Sequence, residues 1–339
     1  MSLPRIAVIG AGLIGRRHIE QAKSQSALCA IVDPSDDAAK FAAEIGVPHF
    51  DELEACIEAT QPEGAVVATP NHLHAPQAIC CLEAGIPILI EKPIAGSLAA
   101  ADQIVECAAR TGIPVLIGHH RRHNPIIAKA KSAIETGALG DIVAVQGQFW
   151  LYKPDDYFDA SWRKGMGAGP TLINLIHDID LLRYFCGEIT DISAIRSNAQ
   201  RGFEVEDTAA LTLRFTNGAI GAFTLSDAIA APWSWEMTSA ENPIYPHRPG
   251  SCYRIGGTRG SLSVPDLHLW AHDGKRSWWN PISSKQLDVE HDDAFALQFA
   301  HFVQVIRGAK PLVDAAEGHA SLKAVLSVLD APLTGRKHP

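Results

Sequence analysis

The chain has 339 residues, 47% of them hydrophobic and 20% charged, with a net charge of −9; at roughly 100–200 residues per domain this is room for two cores, in a globular rather than a disordered or fibrous chain. The negative balance argues against a nucleic-acid or anionic-lipid partner. Seven cysteines without CxxC spacing argue against a disulfide framework and fit a reducing cytoplasm, and the absence of an apolar run of ~18 residues or of a leader ahead of "MSLPRIAVIG" argues against a membrane span or secretion.

From Pro4 to about Gly118, "RIAVIG", "ALCAIVD", "GAVVATP", "IPILIEK" and "IPVLIGH" alternate with helical windows. That rhythm predicts a doubly wound parallel sheet with helices on both faces. The first run opens onto Gly10-x-Gly12-x-x-Gly15, with Leu13 and Ile14 entering a helix. Glycines there allow a tight turn and let a pyrophosphate approach the helix N-terminus. The second run ends in Asp33, 18 residues after Gly15, close to the ~20 expected of an acid that binds a ribose 2′-hydroxyl. Pro34, Ser35, Asp36 and Asp37 follow without an arginine, so NAD is preferred over NADP. Ligands of such sheets gather at the carboxyl ends of strands, which singles out Thr69, Asn71 and His74 in "VVATPNHLHAP", and Glu91 and Lys92 in "ILIEKPIAG". Lys92 is either a group whose proton is shared with a substrate or a solvated turn lysine.

After Asn124-Pro125 the rhythm changes. A helical window, "IIAKAKSAIETGALG", leads to "IVAVQGQFW", an aromatic loop, a helix from about Thr171, and the strand-like runs "ITDISAIRS", "DTAALTLRF" and "AIGAFTLS". These predict a second α/β domain with a large, open, mostly antiparallel sheet, placing domains at 1–123 and 124–339. The segment from about Asp293 to Asp330 reads as two further helices. In the helix from Thr171, Asn174, His177 and Asp178 fall on one face at i, i+3 and i+4, opposite a stripe of Leu172, Leu175, Ile176, Ile179 and Leu182. Asp180 stands at i+3 from His177 to orient the imidazole or anchor the helix, with Arg183 as its own i+3 partner. Spacing alone favours a structural histidine here. His72/His74 and His119/His120/His123 lack cysteine partners and HExxH spacing, so no metal site is expected.

The motifs "GAGLIG", "ATPNHLHAP", "EKPIAG", "GHHRRHNP" and "GAGPTLINLIHDIDLLRYF", in that order, resemble the glucose-fructose oxidoreductase / inositol dehydrogenase (Gfo/Idh/MocA) family over nearly the whole chain. The resemblance implies an NAD(P)-dependent oxidoreductase with a Rossmann N-terminal domain and a C-terminal sheet through which copies pair as a homodimer or homotetramer. It makes Lys92, with a cis bond to Pro93, and His177 the catalytic pair, and places Trp162 and Arg163 near the cofactor. Many inositol dehydrogenase-like members carry an aspartate where this chain has Ile173. Either Asn174 supplies a neutral hydrogen bond instead, or that role is dropped. His120 and Arg121 face the nicotinamide or substrate, or form a basic solvated turn. Tyr152, in the aromatic stretch 149–165, and Trp235 and His247, in the irregular stretch 233–257, are substrate-contact or lid candidates.

The expected reaction is oxidation of a secondary alcohol on a polyol, sugar or related cyclic hydroxy compound. His177 takes the hydroxyl proton, Lys92 stabilises the alkoxide, and hydride passes to nicotinamide C4. Two alternatives stand beside it: a non-catalytic NAD- or sugar-binding regulator on the same fold, and an NAD-dependent glycosidase.

Overall fold

A computed structural model describes residues 3–25 and 27–335. It contains two compact units, Met1–His120 with Phe295–Leu322 and Arg121–Ala294 with Lys323–Pro339. The first begins with alternating elements: β1 (Ile6–Ile9), α1 (Leu13–Ser24), β2 (Leu28–Val32), α2 (Asp36–Ile45), β3 (His49–Phe50), α3 (Leu53–Thr60), β4 (Gly64–Val67), α4 (His74–Glu83), β5 (Ile88–Ile90), α5 (Leu98–Thr111) and β6 (Val115–Ile117). The strands form one parallel sheet in the order β3-β2-β1-β4-β5-β6. Each residue of β1, β4, β5 and β6 is buried, as expected of strands covered on both faces. The order reverses between β1 and β4, and a crevice forms at the carboxyl ends where it does. β3, with two residues at the sheet edge, was too short to be seen in the sequence.

The second unit runs α6 (Pro125–Glu135), β7 (Ile142–Trp150), α7 (Ile176–Cys186), β8 (Ile189–Ser197), β9 (Thr208–Phe215), β10 (Ile220–Ser226), α8 (Trp235–Thr238), β11 (Tyr253–Gly257), β12 (Gly260–Val264), β13 (His268–Ala271) and β14 (Ser283–Gln286). Asn124 starts α6 by accepting the Ile126 N–H at 2.9 Å, with Pro125 at the first helical position, where its missing N–H costs nothing. The chain closes with α9 (Ala294–Ile306), α10 (Ala315–Leu329) and β15 (Leu333–Thr334). Among the described residues, nine strands pair in the order β14-β13-β12-β11-β7-β10-β9-β8-β15. β10 with β7 and β15 with β8 are parallel, and the other pairs are antiparallel. One face packs Phe149, Leu211, Leu213, Phe223, Tyr253 and Ile255 with Ile126, Ile127, Ile179 and Leu182 of α6 and α7. The alternate residues Ile195, Ala210, Thr212, Ile220 and Ala222 stay exposed on the other face.

The sequence-based boundary at 123/124 put the whole tail in the second domain. In the structure, Phe299, Phe302, Val303 and Val305 of α9 share a core with Ile6, Val8, Val66, Leu89 and Leu116, so residues 295–322 belong to the first unit. Gly64 and Gly318 make room for this. A Cβ on Gly64 would lie 2.4 Å from Ile306 Cδ1, and one on Gly318 2.7 Å from Ile117 Cγ1. An apolar helix read from sequence shows that it covers a sheet but not which one. No helix among the described residues is long and apolar enough to cross a membrane, and all seven cysteines are free thiols.

Gly147, in the middle of β7, is held to its size because a Cβ there would sit 2.5 Å from the Phe223 ring and 3.2 Å from that of Tyr253. Gly147→Ala is expected to lower unfolding free energy by about 1–3 kcal/mol through overpacking, read from denaturant midpoints. Wild-type stability in that variant would show that the sheet can shift to admit the methyl group.

Candidate functional site: a nucleotide cradle and a buried polar helix

In the first unit, Gly10 leaves β1 at φ +94°, where a Cβ would meet Ala68 O at 2.7 Å, and a Cβ on Gly15 would reach Gly10 O at 2.0 Å. Only glycine permits this closure. Gly12, by contrast, has open space on its side-chain side, and α1 starts without a side-chain cap, so its first N–H groups remain for an anion. Leu13, 89% exposed, and Ile14 sit at the rim. A cavity of about 670 Å³ is bounded here by Gly10, Gly12, Asp33, Thr69, Pro70 and Gln77, within the range of cofactor sites. Asp33 is fixed at its edge: Oδ2 accepts the Ala11 N–H at 2.8 Å, and Oδ1 accepts the Ser35 N–H at 3.0 Å and hydroxyl at 2.6 Å. Burial works to raise its pKa, but the Ser35 and Ala11 hydrogen bonds outweigh that and hold it below the ordinary value. The donor set and the cradle fit a dinucleotide. Arg16 was missed from the sequence. It comes from α1, bonds Asp37 and lies 4.3 Å from the Phe41 ring centroid, so a cation does stand near Asp33, already matched by an acid.

The two strand-end motifs are tied together beneath Lys92. The Lys92–Pro93 bond is cis, as expected. Glu91, 8% exposed, places Oε1 2.8 Å from His18 Nε2 of α1 and accepts the Lys92 N–H on Oε2 at 3.2 Å. Burial pushes the Glu91 pKa up, but the hydrogen bond from His18 and the charges of His18, Lys92 and His120 prevail and lower it. An anion is thereby stored behind Lys92. Gly118 at the end of β6 leaves Glu91 its space, since a Cβ would lie 3.0 Å from the carboxyl carbon. His74 is used inside the fold: its ring nitrogens lie 2.8 Å from Thr69 O and 3.0 Å from Pro93 O, and burial lowers its pKa more than these carbonyls raise it. Thr69 donates to Gln77, Asn71 starts a short 3₁₀ turn, and His120 stands 6.1 Å from the Phe295 ring.

In the second unit, the helix begins at Thr171 as expected, but its first turn, Thr171–Leu175, is π-helical and α7 follows. The buried Glu206 carboxylate accepts the Thr171 N–H at 3.0 Å and matches the positive end of the helix. The expected polar face is divided. Asn174 is half-exposed, His177 is 7% exposed, and Asp178 is 1% exposed and turned into the core. There Asp178 accepts from Tyr253 and pairs with Arg121 at 3.4 Å, while Arg121 also bonds Glu236 at 2.7 Å. Asp180 pairs in two-point fashion with Arg122, at 2.8 and 2.7 Å, and Arg183 bonds Glu188.

Arg121, 4% exposed, is therefore part of a buried ion network, with Trp235 5.7 Å beneath it. Trp235 itself is 1% exposed; it is a core residue supporting Arg121, since a large apolar ring in an irregular segment is driven inward. Tyr152 is 48% exposed and bonds Asp155. Trp162 is 62% exposed, and Arg163 lies over the Tyr157 ring and donates to Tyr157 O. His247 approaches Thr238 O. Sequence reading also missed Lys153 as a partner of Asn174, its Nζ donating to Oδ1 at 2.9 Å. Among the described residues, no cluster of His, Cys, Asp and Glu is arranged to hold a metal.

Comparison with known proteins bears on both units. Residues 4–119 match the model of the GFO/IDH/MocA oxidoreductase family, NAD-binding Rossmann fold, and residues 127–263 that of its C-terminal domain. The chain is 25% identical to the 1,5-anhydro-D-fructose reductase of Ensifer adhaerens, over 98% of this chain and 97% of the relative. It is 27% identical to an inositol 2-dehydrogenase of Rubrobacter xylanophilus, over 77% and 71%. The fold matches the crystal structure of the WlbA dehydrogenase of Bordetella pertussis in complex with NADH and UDP-GlcNAcA, with a TM-score of 0.76, 24% identity and 97% of each chain covered.

Burial, offset in part by Arg121 and Tyr253 and reinforced by Glu236, pushes the Asp178 pKa up to about 7. The native state then holds a proton that the unfolded chain has already lost above about pH 4, so this group's stabilising effect fades as pH rises from about 4 to 7. Asp178→Asn cannot titrate, and its stability relative to wild type is expected to climb by about 1–3 kcal/mol across that window, measured by denaturant unfolding at several pH values. A difference that stays flat with pH would mean that Asp178 is ionised throughout.

Proposed function

The chain belongs to the Gfo/Idh/MocA family of oxidoreductases, and on that premise we propose that it interconverts a secondary alcohol and a ketone on a polyol, sugar or related cyclic hydroxy compound, using NAD. The observation that carries this reading is the cradle: an open glycine turn, an uncapped helix and an acid fixed at the rim of a cavity of cofactor size. Gly10, Gly12, Leu13, Ile14 and Gly15 would hold the pyrophosphate, and Asp33 the ribose hydroxyls. NAD is preferred to NADP because a 2′-phosphate would meet Asp33, and Arg16 is already paired with Asp37. Relatives named for anhydrofructose and inositol support the substrate class.

Bound NAD supplies the hydride acceptor. His177 would take the hydroxyl proton as general base. Lys92 would stabilise the oxygen as negative charge develops, an effect worth about 3 kcal/mol where donors are preorganised. Glu91, anchored by His18, would keep the Lys92 backbone in place. Asn174 offers the substrate a neutral amide. The exposed sheet face with Ile195 and Ile220 suits a second copy of the chain, giving a homodimer or homotetramer, and free thiols throughout suit the cytoplasm.

Calorimetric titration is expected to give NAD affinity at least about tenfold above that for NADP, a difference of about 1.4 kcal/mol; equal or tighter NADP binding overturns the role of Asp33. With a panel of polyols and sugars, NADH formation should fall by about 10²–10⁴ in kcat/KM for Lys92→Ala and for His177→Ala. Rates within threefold of wild type in either variant would remove that residue from the chemistry.

A further inference from the structure

We infer that Lys153 and Asn174 form a donor pair that selects substrates bearing a carboxylate, so that the alcohol oxidised belongs to a hydroxy acid rather than to a neutral polyol. This rests on the reading above, in which the surroundings of His177 receive the substrate.

Lys153 follows β7 and is 8% exposed. Its Nζ lies 2.9 Å from Asn174 Oδ1 and 3.5 Å from Asp227 Oδ2, and 5.2 Å from the Tyr157 ring centroid. An ammonium group has donors and no acceptor, so the amide atom facing it is the carbonyl oxygen, and the orientation of the Asn174 side chain is set. Its Nδ2 makes no hydrogen bond to any described residue, and the side chain is half-exposed. Asn174 therefore presents N–H groups alone, one helical turn before His177. A substrate group seated there has to accept.

Charge points the same way. The titratable and charged groups around Lys153 include Tyr157, Asp227, Arg201 and Glu236, with Arg121 and Asp178 beyond Glu236. Asp227 is held by Arg201, Nε to Oδ1 at 2.9 Å, and Glu236 by Arg121 at 2.7 Å. Asp178 shares Arg121 and takes the Tyr253 hydroxyl. The acids thus have arginines of their own, and the 3.5 Å approach to Asp227 leaves the Lys153 charge only partly balanced. A buried cation in that state gains from a further anion. A carboxylate supplies the negative charge and two coplanar acceptors for the neighbouring donors. A sugar hydroxyl supplies neither.

The test compares D-glucuronate with D-glucose, and D-galacturonate with D-galactose, as substrates in NADH formation and as ligands of the NADH complex in calorimetry. Wild type is expected to favour each acid over its neutral counterpart by at least about tenfold in kcat/KM. Lys153→Met should cut that ratio by about tenfold or more, and Asn174→Ala should cut it too, consistent with loss of hydrogen bonds to a charged group; melting temperature and NAD affinity report whether each variant is folded. Neutral sugars oxidised as well as the acids, or a ratio unmoved in both folded variants, overturns the donor pair and leaves the dehydrogenase reading in place. Acid binding that Lys153→Met abolishes, without any NADH formation, supports the pair and overturns the dehydrogenase reading. Absence of both oxidation and acid binding overturns the pair.

Discussion

Helix α7 carries an imidazole, two carboxylates and a guanidinium through an interior where no residue from Ile176 to Arg183 is more than 7% exposed. An ion buried without a partner costs several kcal/mol, so this helix depends on counter-charges delivered by the chain and, at Asp178, on a raised pKa that lets the group keep a proton. It does so with two consecutive residues. Arg121 serves Asp178 and Glu236, and Arg122 serves Asp180. Around them, Tyr253 donates to Asp178, Trp235 lies under Arg121, and Tyr184 lies 4.7 Å from Arg122. The segment "GHHRRHNP" therefore acts as an electrostatic clamp that orients the helix bearing His177.

The first unit follows the same logic on a smaller scale. Its glycine turn and its "EKP" turn are far apart in sequence, yet His18, three residues after Gly15, bonds the buried Glu91. The helix that would receive the pyrophosphate and the loop that presents Lys92 are thereby one hydrogen-bonded assembly. His74 adds a second tie, from Thr69 to Pro93. His18 and His74 thus serve as cross-links inside the fold, and at His74 burial lowers the pKa more than its two carbonyl partners raise it.

The same reading separates groups that touch ligands from groups that hold others in place. Asn174 is half-buried with an Nδ2 that bonds no described residue, whereas Trp235 and Arg121 are enclosed by their own unit. Spacing along a helix makes Asn174, His177 and Asp178 look equivalent. Burial distinguishes them, because a carboxylate beside a tyrosine hydroxyl and an arginine is drawn inward while an amide bonded to one lysine remains at the surface.

The sequence by itself determined the features that depend on local conformation and periodicity. The parallel rhythm of β1 to β6, the glycine turn with Asp33, the alternating strands of the second sheet and the helix at Thr171 follow from backbone freedom, side-chain period and strand length, which a few neighbouring residues specify. The tertiary structure decided whatever depends on a partner distant in the chain. It paired Asp180 with Arg122, buried Trp235, set the Asn174 amide through Lys153, packed α9 into the first unit and gave the helix a π-helical first turn. Local patterns state that a buried charge needs a counter-ion and that an apolar face needs a cover; only packing chooses which of many chemically equivalent residues provides them.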